Sequence, residues 1–347
     1  MKKNEKNPLI SVVMPVFNAA DYLRETIESV LNQTYSNFEF LIFNDGSKDN
    51  SLEIIKSYDD PRIILYDYQV NSGYVNRLNA GFALACGKYI ARMDADDIAL
   101  PRRFEVQVAL LEERVEIGLC SCRTETIGPN YLMIEQPVTH NEIRHCFLLA
   151  NPIAHPGVML RTSLVRQHGL AYRHEFMPAE DYYLWCSLVD LTQLHIIPQV
   201  LLRYRVHEAQ ISAQRSQLQN HNAATIKVEY LKMVGVRLSA DEEVKFRVLV
   251  SGPSVHSLSP IELQDIATVA ESVVAALATH GFSAAEVRRI MGLHWFRLLK
   301  NAGRFRLGMV PLFLFNSEIN FAARMRLLGK CVLGWRPRQT KMAKLSD

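Results

Sequence analysis

Three carboxylates fall within four residues at Asp94-Ala95-Asp96-Asp97, directly after the strand-like run Tyr89-Ile90-Ala91-Arg92-Met93. Like charges this close repel and raise one another's pKa, so a folded chain needs a divalent cation, an Arg or Lys partner, or full exposure on a loop. A second acidic pair, Glu180-Asp181, opens a segment of helical pattern, where the helix dipole alone is a sufficient reason for two acids. Asp45 lies in Asn44-Asp45-Gly46-Ser47, whose residue types suit a tight reversal between a strand and a helix.

The elements that must position these residues alternate. Leu9 to Val16 is β-branched and nearly continuously apolar, as a strand covered on both faces is. Leu23, Ile27, Val30 and Leu31 then recur at helical spacing. A strand over 38–43, a short helix around 52–57 capped by Ser47 or Asp49, a strand over 62–66, a helix over 74–85 and the strand 89–93 follow. Four βα units within about 95 residues predict a doubly wound, mainly parallel Rossmann-like sheet flanked by helices. In such sheets ligands collect beyond the carboxyl ends of the strands, where Pro15 to Asn18, Asp45 and Asp94 to Asp97 all fall.

After Pro101 the pattern predicts a helix to about 113, strands near 118–125 and 158–161, the helix beginning at Glu180, and two strands over 194–198 and 200–204. Beyond about 216 the composition turns helical, with start signals at Ser259-Pro260-Ile261-Glu262 and at Ser283 to Glu286. The expected division is a domain over 1–215, with halves of about 8–117 and 118–215, and a helical C-terminal region over 216–347.

Val12-Val13-Met14-Pro15-Val16-Phe17-Asn18, Asn44-Asp45-Gly46-Ser47, Asn71 to Gly73 through Asn79 to Gly81, Asp94-Ala95-Asp96-Asp97 and Glu180-Asp181 follow one another in an order that resembles family 2 inverting glycosyltransferases of the A-type fold. The likeness covers roughly residues 8 to 210. It implies that Pro15, Val16 and Asn18, with Asp45, hold the uracil and ribose of a nucleotide-sugar. Asp94 and Asp96 match a D-x-D motif that holds ribose and a divalent metal on the diphosphate, with Asp97 beside them. Asp181, next to Glu180, matches the catalytic base. Arg205 and His207 match an Arg-x-His that approaches the diphosphate or the metal. Mn²⁺ or Mg²⁺ and a UDP-sugar are therefore the expected cofactor and donor, and a saccharide or lipid-linked saccharide in cell-surface polysaccharide synthesis the expected acceptor. Asn44 stands where many relatives have an Asp, and Arg77 falls one position from a common family arginine.

Two other classes remain in view. A sugar-nucleotide pyrophosphorylase also sets aspartates beyond parallel strands, but would show a glycine-rich basic loop where this chain reads Pro15-Val16-Phe17-Asn18-Ala19-Ala20. A non-catalytic nucleotide-sugar-binding module has no use for the base matched by Asp181.

Hydrophobic residues at 48% and charged residues at 22% of 347 are ordinary globular values, which excludes a disordered or fibrous chain. The net charge of +3 conceals a basic end: between Arg297 and Lys341 ten Lys or Arg face the single acid Glu318. Interleaved Leu, Phe and Trp there point to an anionic membrane surface, with the apolar run Leu307 to Phe315 lying on it, and not to nucleic acid. Six scattered cysteines suit free thiols in a reducing compartment. With neither a signal peptide nor a run of roughly twenty apolar residues, the expected location is cytoplasmic, peripheral on the cytosolic face of the plasma membrane.

Overall fold

The computed structural model describes residues 7–128, 136–207, 215–251 and 258–301. Two compact units divide the chain, Met1–Arg237 and Leu238–Asp347.

The first unit is built on one eight-stranded mixed sheet. β1 (Ile10–Val16) lies between β2 (Phe38–Asp45) and β4 (Tyr89–Arg92) and is parallel to both, with β3 (Ile63–Tyr68) outside β2. All seven residues of β1 are buried, which is why its sequence is almost unbroken in apolar residues. Helix α1 (Ala20–Leu31) turns Leu23, Thr26, Ile27 and Val30 inward; α2 (Ser51–Lys56) and α3 (Tyr74–Leu84) complete the parallel half. Where α3 crosses β1, Gly81 lies against Val13 so closely that an added Cβ would come within 2.3 Å of the valine side chain.

The other half starts with the two-residue β5 (Ile98–Ala99) and α4 (Arg103–Glu113). β6 (Ile117–Ile127) and β7 (Met159–Arg161) run antiparallel to each other, with α5 (His140–Cys146) in the sequence between them, and β7 joins the parallel half by pairing antiparallel with β4. α6 (Thr162–His168) and α7 (Glu180–Ser187) lead to β8 (Gln193–Arg205). In place of two strands over 194–198 and 200–204 there is one, running parallel to β6 with register shifts opposite Cys122 and Arg123. Pro198 lacks an N–H for the ladder, so the strand bulges past it and resumes pairing at Val200 without ending. The full order is β3-β2-β1-β4-β7-β6-β8-β5. Antiparallel pairing of β5 with β8 sets Ile98 opposite Arg203, which carries the acidic turn before β5 to the strand end at Arg205.

α8 (Ser216–Met233) closes the unit, with Asn222 and Tyr230 donating to the carbonyls of Met177 and Arg144. The second unit contains α9 (Ala240–Ser251), α10 (Pro260–Thr279) and α11 (Ala284–Asn301). α10 begins at the start signal read from Ser259-Pro260-Ile261-Glu262, where Ser259 and Glu262 form a capping box. Among the described residues no helix is long and apolar enough to cross a membrane. Cys86, Cys120, Cys122 and Cys186 are free thiols. Most of the basic stretch 297–341, with Leu307 to Phe315 and Cys331, lies outside the described residues.

Candidate functional site

Asp94, Asp96 and Asp97 occupy the turn between β4 and β5, and one carboxylate oxygen of each lies within 4.8 Å of the others. They are not an exposed turn: Asp97 is fully buried, and Asp94 and Asp96 are about three-quarters buried. Burial, reinforced by Asp94, raises the Asp96 pKa and pushes Asp97 well above the usual carboxylate range. Neighbouring groups answer part of the charge. Arg92 forms a close ion pair with Asp94, His207 Nε2 lies 2.9 Å from Asp96 Oδ2, and the Arg205 main-chain N–H donates to Asp97 Oδ1 at 2.8 Å. The Arg205 side chain donates to the Asp96 carbonyl and reaches Glu25 on α1, locking the end of β8 over the turn. Asp97 Oδ2 remains buried without a hydrogen-bond donor among the described residues. An orphaned oxygen beside two further carboxylates is what a hard divalent cation would satisfy, so the residues fit Mg²⁺ or Mn²⁺, with Asp94, Asp96, Asp97 and His207 as possible ligands.

At the carboxyl end of β2, Asp45 is almost completely buried and accepts from Arg77 Nε at 2.6 Å and from the amides of Ser72 and Gly73 at 3.1 and 2.9 Å. The Arg77 guanidinium lies 3.4 Å from the centre of the Tyr68 ring. Asp45 thus fixes the loop before α3, and Arg77, one position from a common family arginine, is its ion-pair partner. Gly46 permits the turn with φ of +73°. Asn50 is the N-cap of α2 and makes no side-chain cap bond, Ser47 makes none to the helix, and Asp49 Oδ1 accepts from the Ser51 amide, the first of α2, at 3.0 Å. Ser47 accepts from the Asn18 amide and Asp49 from those of Ala20 and Ser51, stitching the β2–α2 turn to the β1–α1 turn. Within the latter, Pro15 and Val16 are buried, while Phe17 and Asn18 are exposed.

Glu180 and Asp181 open α7, but dipole stabilisation does not dominate there. Burial, then the neighbouring Glu180, pushes the Asp181 carboxyl up to about 7, and burial raises Glu180 as well. Tyr74 donates its hydroxyl to Glu180 at 2.8 Å. Asn151, in the loop before β7, donates its amide to Asp181 Oδ2 at 2.9 Å, and the Tyr182 amide donates to Oδ1 at 2.7 Å. The Asn151 oxygen accepts from the Ile153 amide at 3.0 Å, which fixes which side of its amide faces the acid. Sequence reasoning gave Asn151 no role; its only signal was a polar residue in a turn-rich loop. Arg92 acts on both acidic groups, since its charge opposes the raised pKa of Asp96, Asp97, Glu180 and Asp181.

Residues 11–168 match the family model for glycosyl transferase family 2. An uncharacterized glycosyltransferase of Haemophilus influenzae is 35% identical over 257 residues, covering 69% of this chain and 80% of that protein. WfgD of Escherichia coli, a UDP-Glc:alpha-D-GlcNAc-diphosphoundecaprenol beta-1,3-glucosyltransferase, is 28% identical over 60% of this chain and 81% of its own length. Among solved structures, S. aureus TarS 1-349 in complex with UDP-GlcNAc superposes with a TM-score of 0.58 at 13% identity, covering 95% of this chain and 93% of TarS 1-349, a likeness of fold. The parallel half-sheet, the acidic turn at its rim and these likenesses agree: the chain belongs to glycosyltransferase family 2.

Proposed function

We propose that the first unit transfers a sugar from a UDP-sugar to a saccharide or lipid-linked saccharide acceptor with inversion at the anomeric carbon, in cell-surface polysaccharide synthesis. The donor side is assigned to about 8–117 and the acceptor side to 118–215. The observation that carries this reading is the pairing of two differently tuned carboxylate groups at one rim. Asp94, Asp96 and Asp97 form a cluster suited to a cation, while Asp181 is a single carboxylate held by two donors and poised near neutrality. Asp181 would accept the proton of the acceptor hydroxyl as that oxygen bonds to the anomeric carbon, and the bond to the nucleoside diphosphate breaks on the opposite face. A base that titrates near the working pH suits that step. Asp45, with the loop it organises and the turn from Pro15 to Asn18, is assigned to the uracil and ribose. Asp94 and Asp96 are assigned to the ribose and metal end, with Arg205 and His207 beside them. A bound Mn²⁺ or Mg²⁺ would neutralise charge developing on the departing diphosphate.

A UDP-sugar donor and a lipid-linked saccharide acceptor are supported by the likeness to WfgD. The test is a thermal-shift screen of UDP-, GDP- and dTDP-sugars with and without Mn²⁺, followed by UDP release with the best donor. A true donor at 100 times its Kd stabilises the fold by about 2.7 kcal/mol. Asp181→Asn is expected to cut turnover by about 10²- to 10⁴-fold while leaving the donor-induced shift in place. If GDP- or dTDP-sugars alone stabilise the protein, the UDP assignment is wrong; if Asp181→Asn retains full turnover, the base assignment fails.

The charge of segment 297–341 supports docking on an anionic leaflet, at about 1 kcal/mol for each Lys or Arg near the surface. Full-length protein should float with vesicles containing anionic lipid and lose that association on removal of 297–347. Equal flotation of the shortened protein would set the membrane role aside.

A further inference from the structure

We propose that Tyr74 is a positioning residue for this transfer: its hydroxyl reaches from the loop that Asp45 organises to Glu180, fastens the first turn of α7, and so fixes where Asp181 stands relative to a bound donor. The inference rests on the functional reading above for the roles of that loop and of Asp181. The link itself is a run of direct contacts.

The run starts at Asp45, whose Oδ1 accepts from the Ser72 amide at 3.1 Å and whose Oδ2 accepts from the Gly73 amide at 2.9 Å. The last residues before α3 are therefore fixed at the carboxyl end of β2. Gly73, with φ of +93°, is the N-cap of α3, and Tyr74 is the first residue of the helix. From there its hydroxyl donates to Glu180 Oε2 at 2.8 Å, across 106 residues of sequence. Glu180 opens α7, and Asp181 follows it directly. Asp45, Gly73, Tyr74, Glu180 and Asp181 thus connect, by hydrogen bonds and peptide bonds alone, the carboxylate assigned to the donor and the carboxylate assigned to the acceptor proton.

Glu180 is only 3% exposed, and among the described residues Tyr74 is its one side-chain hydrogen-bond donor. A buried carboxyl that loses its donor is costly, so the helix end that carries Glu180 is tied to wherever the Tyr74 hydroxyl stands. Burial, then Glu180, pushes the Tyr74 pKa far up, so the phenol remains a donor throughout the working range. The dipole of α7 accounts for an acid in its first turn; it does not account for a phenol aimed at that acid from the donor side. Farther along α3, Asn76 Oδ1 lies 2.8 Å from His174 Nε2, and Asn79 both donates to the Tyr172 carbonyl at 2.9 Å and accepts from its amide at 2.8 Å. These bonds hold the segment that leads into α7 against the same helix. Tyr74 is the contact that α3 makes with the acidic pair itself.

Tyr74→Phe, which removes the hydroxyl and keeps the ring, tests this in the full-length protein. For UDP release from the UDP-sugar that stabilises the protein most, kcat should fall about tenfold, with donor KM within about twofold of native because Asp45 still holds the loop. An unchanged kcat overturns the proposal, and so does a raised donor KM at native kcat, which would place Tyr74 in donor binding. A double-mutant cycle separates positioning through Glu180 from any other effect of the hydroxyl. In Glu180→Leu, which offers the phenol no acceptor, adding Tyr74→Phe should cost less than about twofold; a further tenfold loss in that background would mean that the hydroxyl acts elsewhere. The readout without donor or metal is amide hydrogen exchange. The Tyr182 and Tyr183 amides bond to Asp181 Oδ1 and to the Ala179 carbonyl, and a peptide covering 180–187 should exchange about tenfold faster in Tyr74→Phe while one covering 70–75 stays as in the native protein. Unchanged exchange over 180–187, or equal acceleration of both peptides, overturns the proposal whatever the donor. If Tyr74→Phe does not fold, the hydroxyl serves the fold and the proposal falls. Faster exchange over 180–187 alone, in a protein that turns over no UDP-sugar, would leave the tie between Tyr74 and α7 standing and overturn the UDP reading.

Discussion

Asp181 matters for the bonds that aim it as well as for its charge. Asn151 donates to one of its oxygens and is itself oriented by the Ile153 amide, so the acid is held by a side chain thirty residues earlier in the chain. Asn151→Ala should leave the fold and the donor-induced thermal shift intact but lower kcat by about 10- to 100-fold, the usual cost of a misdirected catalytic group. Steady-state kinetics with the donor varied would check this; a raised donor KM at unchanged kcat would instead place Asn151 in donor binding. The site was only partly legible residue by residue. Asp94, Asp96 and Asp181 could be singled out because their motifs are contiguous and their charge demands an explanation. Asn151 and Arg77 could not, because each takes its meaning from a partner that only the folded chain brings near. Arg92 left a fainter trace: a cation within an apolar strand run must find a counter-charge, and the folded chain supplies it from Asp94 two residues on.

At the scale of elements, alternation of buried strands and amphipathic helices over the first hundred residues was enough to predict the parallel half, since a strand covered on both faces must be apolar throughout. The second half resisted the same treatment. A proline inside β8 reads as a strand end, whereas the ladder bulges around it, and nothing in periodicity tells that a two-residue strand such as β5 will pair with β8. That pairing assembles the rim by delivering Arg205 and His207 to the acidic turn. Packing of α3 on β1 is equally exacting. Gly81→Ala would drive its Cβ into Val13, and relieving the overlap requires α3 to lift from the sheet, at a cost of about 1–3 kcal/mol. Because Arg77 and the Gly73 amide move with α3, the donor-induced thermal shift should weaken as well. Chemical denaturation and the shift measured together would decide it: a loss of stability with donor binding unchanged would mean that α3 yields without disturbing the Asp45 loop.

For the molecule as a whole, the rim carries a stability cost that depends on pH in a definite direction. Asp181 has an ordinary value of 3.8 and a folded value of about 7. A carboxyl raised in the folded state is neutral in both states below about pH 4, so it imposes no penalty there. Between about pH 4 and pH 7 the unfolded chain gives up this proton while the folded chain keeps it, and stability falls; above about 7 the loss is complete and level. With allowance for solvent screening, the full loss is on the order of 2 kcal/mol. Asp181→Asn removes the titration but keeps the shape, so it should match the native protein near pH 4 and exceed it at pH 8 by a few degrees in Tm. Glu180, Asp96 and Asp97 are raised in the same sense, so metal-free native protein should lose stability from pH 5 to pH 8 even with Asp181 replaced. Mn²⁺ should restore more at pH 8 than at pH 5, because the carboxylates that would hold it must be ionised. Thermal denaturation of both proteins at the three pH values, with EDTA and with Mn²⁺, measures all of this. An Asp181→Asn variant less stable than the native protein at pH 8 would mean that the carboxylate is held favourably in its charged form, and its assignment as a base poised near neutrality would have to be withdrawn.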